Sequence, residues 1–534
     1  MNNMTSQIET ENDIYDELAG KYEFDAGKCR VEAESLAMAD MQQFRKQKRD
    51  KTGKSSCKDK IDYIFEFILE KTAPIYNSKP LHQYLPTDID QCSAFDDYFS
   101  QYVKYNGASS FLAFFDKEGK WLRGEIAEAV VTRLLKWLAK QRFDFREVST
   151  DTEMKKYARE AQSSRGITHI FEMLKKASGL KALPDEFDRE KHMLNCCGIA
   201  VDLKTGEQRN ATPEDMFTKS IRCKPLDSHK NLGNPCPAFK KFIDSILCDK
   251  SELSEFLITF LGYSLTGEMK EQKALFILGL TGANGKGTLF NLLKSLLGEY
   301  CIELPDSVIF DTKNEGKFEF AELEGSRLAI KSDVPKGRII NSGSFKTITG
   351  CDSNLMAQKK FRDPFTFTPQ CKLIICCNNK PRLRETGGAM ERRIALIPFE
   401  ADFRKNPNKD LLDELHEELP AILTILIEAA GRWYKEGLPE CTIVKDASRE
   451  YMKDEDLIEQ FFDEKCKTDD STARVEGKIL LDKFSEYCGK KVNKKTFKEG
   501  MESKGFKIVQ FGNGGMRGKR GYEGICLLSE NISM

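Results

Sequence analysis

The chain has 534 residues, and its 83 Lys and Arg nearly balance its 84 Asp and Glu, which leaves a formal net charge of −1. With 31% charged and 40% hydrophobic residues, the composition is that of a globular protein and not of a disordered or membrane-embedded one. The length predicts about three to five domains. Near-neutrality excludes a uniformly cationic nucleic-acid coat, but it leaves room for local basic surfaces.

Composition also bears on the compartment. No run reaches the ~18 apolar residues of a membrane helix, and the polar, acidic N-terminus does not resemble a signal peptide. The 17 cysteines include no C-x-x-C pair, so reduced thiols are expected in place of a disulfide framework or a structural zinc site. These features predict a protein of the bacterial or host cytoplasm, without a membrane partner.

In chain order, the patterns divide the sequence into an acidic and basic N-terminal arm with a helical region, an α+β domain, a helical connector that serves oligomerisation, an α/β core, a second helical region and a winged-helix-like module. Their predicted bounds are, in that order, 1–94, 95–235, 236–272, 273–400, 401–470 and 471–534. The basic stretch 42–60 is either a solvated helix and linker or a flexible arm that touches DNA. Ile126, Val130, Leu134 and Leu138 recur on one face of a predicted helix.

The most informative stretch follows the apolar strand predicted over 273–278. Gly279, Gly282 and Gly285 form a tight loop there, and a leucine-rich amphipathic helix comes after it. Strand, glycine loop, lysine and helix together suit a phosphate, because backbone N–H groups point at the anion while the lysine reaches its terminal phosphates. The lysine in this position is Lys286.

The loop departs from the pattern G-x4-G-K-[ST] at two positions. Its first glycine, Gly279, lies one residue early, and Gly287 stands where a Ser or Thr normally holds Mg²⁺. Thr288 is the next hydroxyl along the chain.

Phosphoryl transfer also needs a metal-binding acid, a group that positions water and positive charge for the transition state. Asp333 ends one short strand pattern, Asn378 ends another, and Arg392 and Arg393 precede a third. Each has an ordinary alternative: a strand-end acid, a turn-forming amide and surface charge. Their order and spacing favour a nucleotide site.

At this point a family resemblance appears. The runs GANGKGT, GSRLAIKSD, KLIICCNNKP and AMERRIALIPF resemble the superfamily 3 helicases of phages, plasmids and large DNA viruses, above all the helicase part of primase–helicases. The stretch 187–218 is similar to the domain that precedes the helicase in those proteins. The resemblance covers about 95–534 and is most specific over 273–400.

The resemblance implies roles for individual residues. The nucleotide-binding residues would be Gly279, Gly282, Ala283, Asn284, Gly285, Lys286, Gly287 and Thr288. The metal would be held by Thr288 and Asp333, although many relatives have Glu at the latter position. Asn378 corresponds to the sensor, and Arg392 or Arg393 to a finger inserted into a neighbouring subunit, with Arg393 preferred.

A basic hairpin is the other feature that the resemblance implies. Lys359, Lys360 and Arg362 correspond to a hairpin that lines the central pore and touches single-stranded DNA. Contacts from such cations to phosphate carry no base readout, as a sequence-blind motor requires. The alternative is a solvated charged turn.

The function implied is ATP- and Mg²⁺-dependent unwinding of duplex DNA by an AAA+-like hexameric ring during replication of a mobile element. Its partners would be single-stranded and forked DNA, with a separate primase or initiator. An N-terminal primase is not expected, because Asp88 and Asp90 do not follow a strand pattern and His82 and His169 are not placed as metal ligands. A divergent bifunctional primase–helicase remains an alternative.

The C-terminal region 471–534 carries thirteen Lys and Arg against seven Asp and Glu. Two helices, a strand, a basic glycine loop and a last strand follow one another in winged-helix order. The candidate DNA contacts lie on its second helix and its wing, and they are Lys494, Lys495, Lys498, Arg517, Lys519 and Arg520. The alternative is an ordinary soluble module.

Two other functions were weighed against the helicase. An ATP-switched initiator or regulator would bind ATP and DNA without unwinding, and it suits the unusual Gly287. A small-molecule P-loop kinase is disfavoured, because it needs neither a trans arginine nor a DNA-binding module.

Overall fold

The computed structural model describes 57–79, 84, 87–107, 110–148, 152–177, 179–226, 236–279, 282–311, 319–350, 354–358, 364–405, 407–468, 470–489, 491–512 and 518–528. The chain divides into two compact units, 1–63 and 64–534. Of the first unit, residues 57–63 are described, and they are helical. The predicted basic arm over 42–60 therefore lies almost wholly outside the described residues.

The N-terminal part of the second unit combines helices with a three-stranded antiparallel sheet, as an α+β domain should. The helix α1 (Cys57–Ser78) begins in the first unit and continues into the second. The further elements of this part are α2 (Asp88–Phe99), β1 (Val103–Asn106), β2 (Ser110–Phe115), β3 (Lys120–Arg123), α3 (Glu125–Val148), α4 (Thr152–Ala161) and α5 (Ser164–Leu174). On α3, the predicted apolar face buries Val130, Leu134 and Leu138 completely, while Ile126 is half-buried. Burial of this stripe explains why the segment is helical.

A small antiparallel meander and two helices lead into the core. They are β4 (Met193–Cys196), β5 (Ile199–Asp202), β6 (Gln208–Asn210), α6 (Pro237–Ile246) and α7 (Ser251–Leu265). The β4–β5 turn consists of Cys197 and Gly198, both with positive φ (52° and 87°). Two left-handed residues match the twist of a tight hairpin.

The core is a five-stranded parallel sheet with helices on both faces. Its strands are β7 (Ala274–Leu278), β8 (Cys301–Glu303), β9 (Leu328–Lys331), β12 (Lys372–Cys377) and β13 (Ile394–Pro398), and its helices are α8 (Lys286–Leu297), α9 (Asp306–Ile309), α10 (Ser342–Thr349) and α11 (Gly388–Glu391). The strands lie in the order β13–β7–β12–β9–β8, so β7 is an interior strand between β13 and β12. The mixed α/β class predicted for this region is confirmed.

Both faces of the sheet are apolar, which explains the uninterrupted hydrophobic runs of the central strands. Leu275 and Ile277 of β7 pack with α6, α7 and α8 on one face. Phe276 and Leu278 pack on the other face with residues of α10 and with Tyr451. Between β9 and β12, β10 (Leu355–Gln358) and β11 (Pro364–Phe367) form a separate antiparallel hairpin.

Helices and a small module complete the chain. The helices are α12 (Leu411–Glu417), α13 (Leu419–Glu436) and α14 (Thr442–Glu455). The module contains α15 (Leu457–Lys465), β14 (Cys466–Lys467), β15 (Arg474–Glu476), α16 (Gly477–Tyr487), α17 (Lys494–Ser503), β16 (Val509–Gln510), β17 (Arg520–Glu523) and β18 (Cys526–Leu527). Nowhere in the described part of the chain is a helix long and apolar enough to cross a membrane.

The module begins earlier than the sequence suggested. Phe461 and Phe462 of α15 belong to the same buried cluster as Phe484, Phe497 and Tyr522. Its core therefore starts near residue 457, upstream of the predicted boundary at 471. Because α15 resembles the amphipathic helices before it, the sequence pattern alone does not separate them.

Candidate functional site

The glycine loop leaves the carboxyl end of the interior strand β7. The backbone N–H of Gly279 donates to the carbonyl of Cys377 at 3.0 Å, which ties the loop to the end of β12. Ala283 and Gly285 both have left-handed backbone, with φ of 58° and 86°. At Gly285 a side chain would also overlap Ile246 of α6, so this position requires glycine for conformation and for space.

The N-terminus of α8 faces this loop. Gly285 caps the helix and supplies no side-chain acceptor for the first turn, and uncapped N–H groups at a helix start attract an anion. Gly287 is exposed, with open space around the position of a Cβ. Thr288 is half-buried in the same turn.

Lys286 is held by the loop itself. Its Nζ donates to the carbonyl of Gly279 at 3.0 Å and to Oδ1 of Asn284 at 2.9 Å. Burial lowers the pKa of the Lys286 ammonium below its ordinary value, while Cys376, Cys377 and Asp333 act in the opposite direction. The Asp333 carboxylate therefore interacts electrostatically with the Lys286 ammonium.

Two polar residues follow β12, which lies next to β7 in the sheet, and β9, which lies next to β12. Asn378 comes directly after β12, and Asp333 lies two residues after β9; both are exposed. Because carboxyl ends of parallel strands share one edge of a sheet, Asn378 and Asp333 lie on the same edge as Lys286. A carboxylate and a nearby Thr288 hydroxyl are oxygen ligands that fit Mg²⁺, which usually takes one or two protein ligands beside substrate phosphates.

The two arginines lie at the opposite edge of the sheet. The carbonyl of Arg393 accepts from the N–H of Ala274 at 2.7 Å, and that of Arg392 accepts from Nζ of Lys273 at 3.0 Å. Both arginines thus sit beside the amino end of β7, one strand length from the loop. Five residues at about 3.3 Å each separate the two edges by about 16 Å.

The two candidate finger residues, Arg392 and the preferred Arg393, differ in their surroundings. Its side chain is 8% exposed, and Nη1 donates to the carbonyl of Ala389 at 2.7 Å. This bond and this burial hold the Arg393 guanidinium against its own chain. Arg392 is exposed and takes over this candidate role.

The candidate DNA contacts are only partly described. Lys359, Lys360, Arg362 and Arg517 lie outside the described residues. In the sequence, the first three lie between Gln358, the last residue of β10, and Pro364, the first residue of β11.

On the C-terminal module, Lys494, Lys495 and Lys498 are exposed on α17, and Arg520 is exposed on β17. Lys495 and Lys498 lie 3.9 and 3.5 Å from Glu499 and Glu502 of their own helix, and Lys519 lies 2.7 Å from Glu476. Exposed pairs of this kind are weak, so phosphate can displace them.

Asp88 and Asp90, the paired acids of the N-terminal region, make contacts within their own domain. Asp88 and Asp90 lie in the first turn of α2, where the Thr87 side chain accepts from the N–H of Asp90. Asp88 accepts from Tyr157 at 2.9 Å and lies 3.4 Å from His169. Acids are favoured at a helix N-terminus. His82 lies outside the described residues.

The sequence analysis missed two contacts of the loop. The N–H of Phe403 donates to the carbonyl of Ala283 at 2.8 Å, so the segment after β13 lies over the loop. Ile246 of α6 packs against Gly285 from another side. Neither carries a polar signature, and only the fold brings these distant segments together.

A parallel α/β sheet with a glycine loop, a lysine and strand-end polar groups at one edge is typical of phosphate-binding proteins. Comparison with known proteins narrows this class further. The family model described as "D5 N terminal like" matches 92–248, and the model described as "Family of unknown function (DUF5906)" matches 277–393. These matches, together with viral relatives named "Putative helicase", indicate that the chain is similar to primase–helicases.

Two of these relatives illustrate the similarity. "Putative helicase L207/L206" of Acanthamoeba polyphaga mimivirus is 26% identical over 58% of this chain and 35% of its own length. "Putative helicase 184R" of Invertebrate iridescent virus 6 is 26% identical over 49% of this chain and 27% of its own length. The match thus spans about a third of these relatives.

Among solved structures, the apo form of the NrS-1 C-terminal region aligns with 79% of this chain and 94% of its own, at 12% identity and a TM-score of 0.42.

Proposed function

We propose that the protein is a superfamily 3 DNA helicase that hydrolyses ATP with Mg²⁺ and unwinds duplex DNA as a hexameric ring during replication of a phage, plasmid or other mobile element. The observation that carries the proposal is the site at the carboxyl edge of the sheet. There Lys286 stands at the glycine loop, and Asp333 and Asn378 follow the neighbouring strands.

The strand order supports an AAA+-like core. Counted along the core sheet, its first strand β7 lies between the fifth and the fourth, β13 and β12. The fourth strand is thus inserted between the first and the third, as in AAA+ ATPases. This insertion brings the Asn378 that follows β12 next to the loop, in the position of a sensor for the terminal phosphate.

Each residue of the site then has a task. The N–H groups of the loop and of the first turn of α8 bind the phosphates, and the Lys286 ammonium neutralises their charge. Thr288 and Asp333 would hold Mg²⁺, which supplies positive charge to the phosphate oxygens. Asn378 orients the attacking water.

The position of Arg392 supports a ring. An arginine finger stabilises the charge of the transition state, but Arg392 lies at the opposite edge of the sheet from the loop of its own subunit. It therefore serves the site of a neighbour. Repetition of this head-to-tail contact closes into a ring.

DNA would be gripped at two places. The β10–β11 hairpin carries Lys359, Lys360 and Arg362 into the pore, and the C-terminal module binds duplex or origin DNA through α17 and its wing. In this role the protein works on single-stranded and forked DNA, with a separate primase or initiator. The described cysteines are free thiols, which suits the proposed cytoplasmic setting.

A strand-displacement assay tests the function directly. With ATP and Mg²⁺, the protein is expected to release the labelled strand of a forked duplex, whereas without ATP it should only bind the fork. Mass photometry of the same samples should show a hexamer. Tight binding of ATP and DNA with no displaced strand would contradict the helicase proposal.

That contrary result would favour a second candidate, an ATP-switched initiator without unwinding. The observation behind it is Gly287, which is exposed and lacks the usual hydroxyl for Mg²⁺. A switch needs only nucleotide binding, so weak metal binding would not impair it.

The C-terminal module yields a quantitative prediction. Replacement of both Lys494 and Lys498 by alanine should weaken duplex binding and lower the slope of log K against log salt concentration by about 1 for each lost phosphate contact. Both lysines are exposed, so the module should stay folded. Fluorescence anisotropy at several salt concentrations measures the slope.

The matched control for this pair is Lys478, an exposed lysine on α16. Lys478→Ala should leave duplex affinity nearly unchanged. If the double variant behaves like this control, α17 does not bind DNA.

A further inference from the structure

Asn284 is the least exposed polar residue among the described residues of the glycine loop. Its side chain is buried, at 3% exposure, between two residues with left-handed backbone, Ala283 and Gly285. Its Oδ1 accepts a hydrogen bond of 2.9 Å from Nζ of Lys286, only two residues further on. Burial of an amide in this way is stabilised only when its polar atoms are bonded.

Gly279 makes this arrangement possible. A Cβ at that position would overlap the amide nitrogen of Asn284 and the ammonium of Lys286. The carbonyl of Gly279 is the second acceptor for the ammonium, at 3.0 Å. The early position of this glycine, which departs from the usual pattern, thus leaves room for the side chains of Asn284 and Lys286.

The two acceptors do not use all the hydrogen-bond donors of the Lys286 ammonium. An ammonium has three donors, and the two oxygens of Asn284 and Gly279 use two of them. The remaining donor suits a phosphate oxygen. Both acceptors are neutral, so the positive charge stays available for an anion.

We propose that Asn284 is a positioning residue that orients the Lys286 ammonium for the terminal phosphates before the nucleotide arrives. The inference rests on the proposed function, in which the loop binds ATP. A free lysine side chain loses considerable rotamer entropy when it is fixed. Because Asn284 and Gly279 fix it in advance, less of that loss falls on nucleotide binding.

The test is a double-mutant cycle on nucleotide binding, measured by titration calorimetry on the full chain with Mg²⁺. Asn284→Ala should weaken binding of ATP and ADP about tenfold, the size expected for one lost hydrogen bond to a charged group. AMP binding should stay the same, because the lysine contacts only the terminal phosphates. In a Lys286→Ala background, Asn284→Ala should have no further effect.

Asn284→Leu guards against a simple cavity effect, since it keeps most of the volume but removes the acceptor. It should reproduce the loss seen with alanine, and thermal melting identifies which of the two variants is folded. An equal loss in both lysine backgrounds would show that Asn284 only supports the loop. Tighter ATP binding would show that Asn284 restrains the lysine. Either result overturns the inference.

The same experiment separates the two levels of the argument. If the wild-type chain does not bind ATP, or Lys286→Ala binds it equally well, the proposed function fails. If wild type binds, Lys286→Ala loses affinity and Asn284→Ala does not, only the positioning role fails.

Discussion

Lys286→Ala is expected to lower ATP hydrolysis by about 10²-fold or more, because the transition state loses a preorganised positive charge. The chain should remain folded, since the Lys286 ammonium donates to Gly279 and Asn284 of its own loop. A phosphate-release assay with and without single-stranded DNA measures the loss. Circular dichroism checks the fold.

Lys294 provides the matched control for this variant. It lies on the same helix α8, its side chain is 53% exposed, and it pairs with Glu303 at 3.3 Å. Lys294→Ala should therefore leave hydrolysis nearly unchanged. Retention of DNA-stimulated hydrolysis by Lys286→Ala would overturn the assignment of the core.

The second large effect is expected at Arg392. Arg392→Ala should lower kcat by about 10³-fold or more, the range measured for arginine fingers. Nucleotide affinity should hardly change, because Arg392 lies at the far edge of the sheet from the loop of its own subunit. Hydrolysis and binding are measured separately, by phosphate release and by titration calorimetry.

Mixing two inactive variants tests whether the arginine acts in trans. A loop from an Arg392→Ala subunit meets an intact Arg392 wherever its neighbour is a Lys286→Ala subunit. Mixed rings should therefore regain part of the activity that each variant lacks alone. An inactive mixture, or an active Arg392→Ala variant, would exclude the trans finger.

Arg393→Ala offers a contrast with its neighbour. Arg393 is 8% exposed and donates to the carbonyl of Ala389, so its removal should lower the melting temperature. The two adjacent substitutions should thus have different effects: Arg392→Ala lowers the rate of hydrolysis, and Arg393→Ala lowers the stability of the fold.

That difference also shows where prediction from sequence ends. The strand β7, the loop and α8 were predictable, because a buried apolar run, three glycines and a leucine stripe each have one simple structural reading. Arg392 and Arg393 have the same chemistry and adjacent positions. Only the short helix α11 before them decides which side chain turns inward.

Other parts of the site depended on the fold in the same way. The sequence does not predict that the Asn284 side chain packs against Gly279. That contact is possible only because Gly279 has no Cβ. Phe403 reaches Ala283 across more than one hundred residues of sequence. The boundary of the C-terminal module was placed too late because Phe461 gives the same periodic signal as the preceding helices.

The course of β13 has a mechanical consequence for the proposed ring. At its amino end the strand carries Arg392, and shortly after its carboxyl end Phe403 bonds to Ala283 of the loop. In the proposed ring, this short strand would join the arginine that serves a neighbour to the segment that bonds to the subunit's own glycine loop. A displacement of the arginine, when the neighbour releases phosphate, would then be transmitted along β13 to the glycine loop of the arginine's own subunit. The subunits of such a ring would hydrolyse ATP one after another and not independently.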